Sequence, residues 1–419
     1  MISKMIWSVS ASNEIKGSDI VIVGQQPWDT SIGSNCKNIA LEFSRHNRVL
    51  YVNSALDRIT LMRSNSDPKV QKRLAVIQRK EKGLSAVQAN LWTLYPSAIA
   101  ESITRIKIRP LFNMLNKRNN RLFASSIQSA IDNLGFKDII LFNDNDIFRS
   151  FYLKELLKPA ISIYYSRDYM LGVDYWKFHG QKLEPLLIAK SDLCVANSTY
   201  LANYCKQYNP RSYYVGQGCD LEMFSHAQQQ PKPPDIAPIQ GSIIGYVGAL
   251  QSIRLDIEML LYIAQQKPEW SVVLVGPEDE AFEKSSLHRA KNVHFLGSKK
   301  PGELPGYINA FDVCLNPQMV NQVTIGNYPR KIDEYLAVGK PVVATATEAM
   351  GIFADYTYLA NSKEGYVELI EKALKESKEQ GSFQIQQARK TFAFSHSWEN
   401  SVKEIYAAIN LFISSGNYS

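Results

Sequence analysis

The sequence predicts an α/β protein of two doubly wound parallel-sheet domains facing each other across a cleft, with a terminal helix that must pack on one of them. Three observations lead there. Short apolar strands alternate with helix-period segments along most of the chain. The alternation restarts after HAQQQPKPPDIAPIQG, a Pro- and Gln-rich stretch without periodicity that reads as a linker. The chain has 419 residues, 45% hydrophobic and 21% charged, which is enough for two cores. The expected limits are residues 1–225 for the first domain, 226–240 for the linker, 241–395 for the second domain and 396–419 for the terminal helix.

In the first domain, DIVIVGQQPWDTSIGSNCKNIALEFSRHNRVLYVNS reads as strand, glycine-bearing loop, helix, strand. The strands are Asp19 to Val23 and Arg48 to Val52; Ser34 or Asn35 caps a helix running to about Arg45. Further strands are expected at DIILFN, AISIYYS, SDLCVAN and SYYVGQG. In the second domain SIIGYVGAL, WSVVLVGPED, NVHFLGS and DVCLNPQ read as strands, with helices at DIEMLLYIAQQKP and KPGELPGYINAF. The tail SHSWENSVKEIYAAINLFIS carries Trp398, Val402, Ile405, Tyr406 and Ile409 at helical spacing, a stripe that must be buried.

Composition narrows the function classes. No apolar run approaches the roughly 18–20 residues of a transmembrane helix, and MISKMIWSVSASNEIKG lacks the apolar segment of a signal peptide. Five scattered cysteines without a C-x-x-C pair read as reduced thiols of a cytoplasmic protein. The net charge is +7, yet Arg58 to Arg121 alone holds fourteen basic and three acidic residues. Ile103, Ile106, Ile108, Leu111, Phe112, Met114, Leu115, Leu122 and Phe123 are interleaved there. Such a mixture suits an anionic membrane surface, here the inner face of the plasma membrane; a solvated basic face over a core helix is the plain alternative. Nucleic acid is not expected, because no recognition motif accompanies the charge.

The stretch TIGNYPRKIDEYLAVGKPVVAT, Thr324 to Thr345, is the most informative. Pro329 suits a first helical turn and Gly339 a helix stop. Ile332, Tyr335 and Leu336 share one helix face, and Arg330, Lys331 and Glu334 the opposite one. A helix start behind a TIGN loop favours phosphate; Lys331 adds a cation, and Glu334, one turn deeper, suits vicinal hydroxyls. A capped surface helix with an Arg330–Glu334 pair would share this pattern.

YPRKIDEYLAVGKPVVAT, with GYVGAL and NVHFLGS upstream, resembles the nucleotide-sugar domain of family 4 (group 1) glycosyltransferases, which have the GT-B fold of two Rossmann-like domains. IYYSRDYMLGVDY, LEPLLIAKSDLCVANSTYLANYCKQY and YVGQGCDLEMF resemble the acceptor-domain run of that family, and SHSW its crossing helix. The resemblance covers most of the chain and is weakest from about Arg58 to Gly135. It implies that Glu334 binds ribose hydroxyls. One departure concerns a second glutamate eight residues earlier, where this chain has Gly326; Thr324, Gly326 and Asn327 would then offer backbone amides and small polar groups.

Other donor-binding candidates are Gly248 and Gly276 at strand ends and Arg254; the resemblance further implies Leu296 and Gly297, in the run where that family receives the base, and Gly33 beside Ser34, in the loop that faces the donor's phosphate side. For an acceptor base, Asp168 ranks ahead of Asp29; a front-face retaining reaction would need neither. Asp144 and Asp146 in FNDNDIF do not form a convincing metal site, so no metal or other cofactor is expected, and cationic side chains and helix dipoles would stabilise the leaving group. The function expected is metal-independent, retaining transfer of a hexose from a nucleoside diphosphate-sugar to a glycan or polyprenyl-linked acceptor in surface-glycan assembly. A sugar-nucleotide epimerase and a non-catalytic nucleotide-sugar-binding partner of another transferase are the alternatives.

Overall fold

The computed structural model describes residues 14–30, 33–64, 66–376 and 382–416; residues 1–13, most of the stretch read above as lacking a leader, lie outside them. The chain divides into one unit of Met1–Gly216 with Trp398–Ser419, and a second of Gln217–Ser397.

The first unit is built on eight strands: β1 Asp19–Val23, β2 Arg48–Val52, β3 Leu84–Gln88, β4 Leu91–Leu94, β5 Ile140–Asp144, β6 Ile161–Ser166, β7 Leu193–Ala196 and β8 Ser212–Tyr214. They are ordered β8-β7-β6-β5-β1-β2-β4-β3, with every pairing parallel except β3–β4. Continuous apolar runs such as Ile20–Val23 are buried because helices cover both faces of a parallel sheet. Helix α1, Asn35–Phe43, starts as read: the Ser34 hydroxyl accepts the Lys37 amide proton at 3.4 Å. The β3–β4 hairpin went unread, since its signal is slight. Asn90 takes the positive-φ turn position, and most of β3 is solvent-exposed, so no apolar alternation marks it.

The 26-residue helix α2, Arg109–Leu134, and helix α3, Asp174–Lys190, complete the parts of this unit used below. The C-terminal helix Trp398–Ser414 buries Trp398, Val402, Ile405, Tyr406 and Ile409 in the same core as Ile39 and Phe43 of α1. The Tyr406 hydroxyl accepts from Asn47 Nδ2 at 2.9 Å. The tail therefore returns to the first unit.

The second unit has six parallel strands: β9 Ser242–Val247, β10 Trp270–Val275, β11 Val293–Gly297, β12 Val313–Asn316, β13 Val342–Thr345 and β14 Tyr358–Ala360. Their order, β11-β10-β9-β12-β13-β14, is that of the doubly wound dinucleotide-binding sheet. The segment 226–240 is less free than its composition suggested: Ala227 and Ile236 are buried in this unit's core with Cys219, Leu221 and Phe224. Asp235 also accepts from Lys299 Nζ and Tyr307 Oη, each at 2.6 Å. Helix α4, Arg330–Ala337, follows β12 and ends at Gly339, whose amide donates to Leu336 O while Lys340 N donates to Tyr335 O. Against α4 packs helix α5, Ser382–Ser395.

Among the described residues no helix is long and apolar enough to cross a membrane.

Candidate functional site

In a doubly wound sheet the ligand crevice lies beyond the carboxyl ends of the strands, where the strand order reverses. In the second unit that point lies between β9 and β12. Strand β9 is followed at once by Gly248 with φ +141°, and β10 by Gly276 with φ +152°. A Cβ on Gly276 would overlap the Gly248 carbonyl, so the two strand ends approach as only glycines allow. A Cβ on Gly248 would overlap Cε and Nζ of Lys331. The ammonium group from α4 therefore rests on the bare backbone at the end of β9, 5.1 Å from the Tyr246 ring centroid.

The apolar face of α4 produces this placement. Ile332, Tyr335 and Leu336 are fully buried. The Tyr335 hydroxyl accepts the Val247 amide proton at 2.9 Å and donates to Val247 O at 3.4 Å, fastening the helix to the last residue of β9. Glu334, one turn beyond Arg330, is partly buried, and no hydrogen bond to its carboxylate is found among the described residues. Burial pushes its carboxyl above the ordinary carboxylate range; Lys331 and then Arg330 pull the other way. The Arg330–Glu334 surface pair allowed for in the sequence does not form, and Arg330 Nε is buried without a partner. Chemically, such groups can bond anionic oxygens and hydroxyls.

The rest of the expected donor set divides. Gly297 pairs in register with Val275, which puts Leu296 and Gly297 beside Gly276 on the same rim. Arg254 is exposed, and its carbonyl accepts from Met319 N at 2.9 Å, while nearby Asp256 caps the Met259 amide at 2.9 Å. Asn321 Nδ2 reaches Ile253 O at 2.7 Å, so the Arg254 loop and the loop before α4 are tied together. Thr324 offers less than expected. Its hydroxyl donates to Met319 O and accepts from Asn321 N, its amide bonds Asn321, and the residue is buried, because it closes its own turn. Asn327 is partly exposed and its amide bonds Thr324 O at 3.1 Å; Gly326 is buried.

The first unit has its own reversal point, between β1 and β5. There Arg167, 12% exposed at the side chain, bonds Asp144 Oδ1 and Asp168 Oδ2 at 2.7 Å each and Gln25 Oε1 at 3.1 Å. Burial opposes its charge, but Asp144 and Asp168 outweigh burial and keep the guanidinium protonated. Asp144 is thus held by an arginine, and Asp146 likewise by Arg149 at 2.5 Å. Asp168 keeps a 45% exposed side chain. Asp29 has a buried Oδ1 without a hydrogen-bond partner, close to Tyr95, whose hydroxyl is pushed up by burial and then by the Asp29 charge. Gly33 is exposed immediately before the Ser34 cap. The sequence reading did not single out Gln25 and Arg167, which come together only because strand ends meet in three dimensions.

Residues 241–376 match the family described as glycosyl transferases group 1. A protein of Bacillus subtilis (strain 168), named for glycosyl transfer in teichuronic acid biosynthesis, is 30% identical over 167 residues, or 38% of this chain and 41% of that protein. The match thus spans about two-fifths of that relative's length. Among solved structures, sucrose-phosphate synthase of Thermosynechococcus elongatus superposes with a TM-score of 0.62, 14% identity, and 95% of this chain on 100% of that one. Anabaena HepE, solved in complex with UDP, gives the same values. An α,α-trehalose-phosphate synthase of Burkholderia vietnamiensis gives 0.66 at 9% identity, over 95% of this chain and 100% of that one. At such identities the likeness establishes the fold, which is the GT-B fold expected from the sequence.

Proposed function

We propose, on the premise that residues 241–376 form a group 1 glycosyltransferase domain, that the protein moves a sugar from a nucleoside diphosphate-sugar to a lipid-linked or polysaccharide acceptor in surface-glycan assembly. The observation that carries this reading is the Lys331 ammonium seated on Gly248, with the carboxylate of Glu334 one turn further along α4. A UDP-sugar is the donor to try first, because HepE was solved with UDP and with UDP-glucose.

The chemistry follows from the groups present. Lys331 and Arg330 neutralise the diphosphate as the glycosidic bond to phosphate breaks, and Glu334 accepts from ribose hydroxyls. The leaving group then needs no metal, and a retaining course in which donor phosphate takes the acceptor proton fits this cationic grip. If a side chain takes that proton, Asp29 with its bare oxygen is better equipped than Asp168, which is ion-paired to Arg167.

A peripheral, cytoplasmic position on an anionic membrane belongs to the same reading, on a narrower surface than the Arg58–Arg121 composition indicated. Ile103, Phe112 and Phe123 belong to the core, and Arg58 and Arg118 both pair with Glu101. Among the residues that stay exposed, Arg105, Lys107 and Arg109 lie next to Ile108, Leu111 and Met114 in the chain. The start of α3 adds Tyr175 and Phe178; His179 joins the two segments by bonding Ile106 O at 2.7 Å and stacking on Phe112 at 3.5 Å. Co-sedimentation with phosphatidylglycerol-containing vesicles, but not with phosphatidylcholine, is expected and should be lost in Ile108→Asp/Met114→Asp.

The donor assignment is tested by calorimetric titration of UDP, GDP, ADP and their glucose conjugates into the protein. One base family should bind the wild type, and both Lys331→Ala and Glu334→Ala should weaken it. Equal binding by the variants, or none by the wild type, refutes the grip.

A further inference from the structure

Asp333 precedes Glu334 in the first turn of α4, yet it is fully buried. A buried carboxylate persists only when its oxygens are satisfied, and the partners here are specific. His396 Nδ1 lies 2.6 Å from Oδ1, and the Cys219 thiol donates to Oδ2 at 3.3 Å. The two partners are also bonded to each other, since Cys219 N donates to His396 O at 2.9 Å. Their places in the chain matter: Cys219 follows the start of the second unit at Gln217, and His396 immediately precedes its end at Ser397. Asp333 therefore holds the entering and leaving chain segments together against the helix that carries Lys331 and Glu334.

The surroundings leave this arrangement little freedom. The His396 ring sits edge-on to Phe392 at 4.6 Å, Phe353 at 5.9 Å and Tyr328 at 6.3 Å, and Tyr328 Oη lies 3.1 Å from Nδ1. Burial, and then the Asp333 charge, pushes the Cys219 thiol up, so it remains a protonated donor. Arg330, one turn before Asp333, bears the unpartnered Nε described above. A shift of the first turn of α4 that seats Arg330 on a ligand must move Asp333 with it, because a helical turn is stiff and the interior is close-packed.

We propose that Asp333 is a positioning residue through which occupancy of the Lys331–Glu334 grip restrains the two segments, 217–221 and 394–398, where the chain passes between its units. This rests on the donor reading above and adds a coupling that the reading does not require.

Hydrogen–deuterium exchange followed by mass spectrometry, on the full chain with and without saturating UDP, tests it. In the wild type UDP should slow exchange at least threefold in peptides spanning 217–221 and 394–398, besides those of α4. In Asp333→Asn one carboxylate oxygen becomes an NH2 donor, so the side chain can no longer accept from both His396 and Cys219, and this distant protection should vanish while UDP still binds within about fivefold. His396→Phe keeps an aromatic ring within the cage but removes the bond to Asp333, and should behave alike should the asparagine variant fold poorly. Titration with UDP, GDP and ADP separates the two claims. Binding without protection of 217–221 and 394–398, or protection that survives in both variants, overturns the coupling alone. Failure of all three diphosphates to bind the wild type overturns the donor reading and the coupling with it.

Discussion

Placing a methyl group on Gly248 tests the cation seat most directly. Its Cβ would lie where Lys331 Cε and Nζ now sit, and 3.1 Å from Tyr246 Oη. The lysine end is the flexible partner, so Gly248→Ala displaces it. The backbone cost at φ +141° is of order 1–3 kcal/mol, visible as a lower Tm. Losing one charge-assisted contact to a phosphate costs about 1.5–3 kcal/mol, so the diphosphate Kd should rise roughly 10- to 100-fold. Lys331→Ala should give a rise of the same order. The decisive measurement is calorimetric titration of the double-mutant cycle. Because both changes remove the same cation from the same place, Gly248→Ala should cost little further affinity in the Lys331→Ala background. Additive losses would mean that the methyl group blocks the ligand by itself and that the lysine acts elsewhere, which would refute the reasoning.

Glu184 offers a test by pH. It is 1% exposed, and burial pushes its carboxyl up to about 7 against the bonds from Tyr164 at 2.7 Å and Tyr204 at 3.2 Å. A raised carboxyl favours the folded state below its unfolded value of 4.5, and that advantage is lost as pH rises towards 7. Urea unfolding should show about 3 kcal/mol of stability lost across that window in the wild type relative to Glu184→Gln; parallel pH profiles would refute this. Tyr335→Phe strands the Val247 amide and should cost about 1–3 kcal/mol in denaturant unfolding, with weakened UDP binding; unchanged stability would show that the latch is immaterial. Gly276→Ala should be costlier than Gly248→Ala, since its Cβ meets the Gly248 carbonyl rather than a mobile side chain; the reverse order of Tm values would contradict the strand-end contact.

The fold was legible because its determinants are local. Buried strands such as DIVIV and WSVVLV, the Ser34 cap, the Gly339 stop and the apolar stripe of the last helix each depend on neighbours within a few residues. Where local pattern was thin the reading stopped, as at the β3–β4 hairpin. Where composition stood in for pattern, as in the Pro- and Gln-rich stretch, it missed Ala227 and Ile236 packing into the core.

The sequence by itself determined the chemistry of the candidate site, since Lys331 and Glu334 carry their charge and hydrogen-bonding capacity wherever they sit, and the period of α4 turns them away from Ile332 and Leu336. Only the tertiary structure decided what those groups touch. It set Lys331 on Gly248 some eighty residues away, spent the Thr324 hydroxyl on its own turn, and gave Arg167 to Asp144. It also buried Asp333 against His396 and Cys219, 63 residues after it and 114 before it. Sequence spacing does not encode such pairings; they form because burying the apolar stripes brings distant strand ends and chain crossings together, and buried polar groups there must find partners.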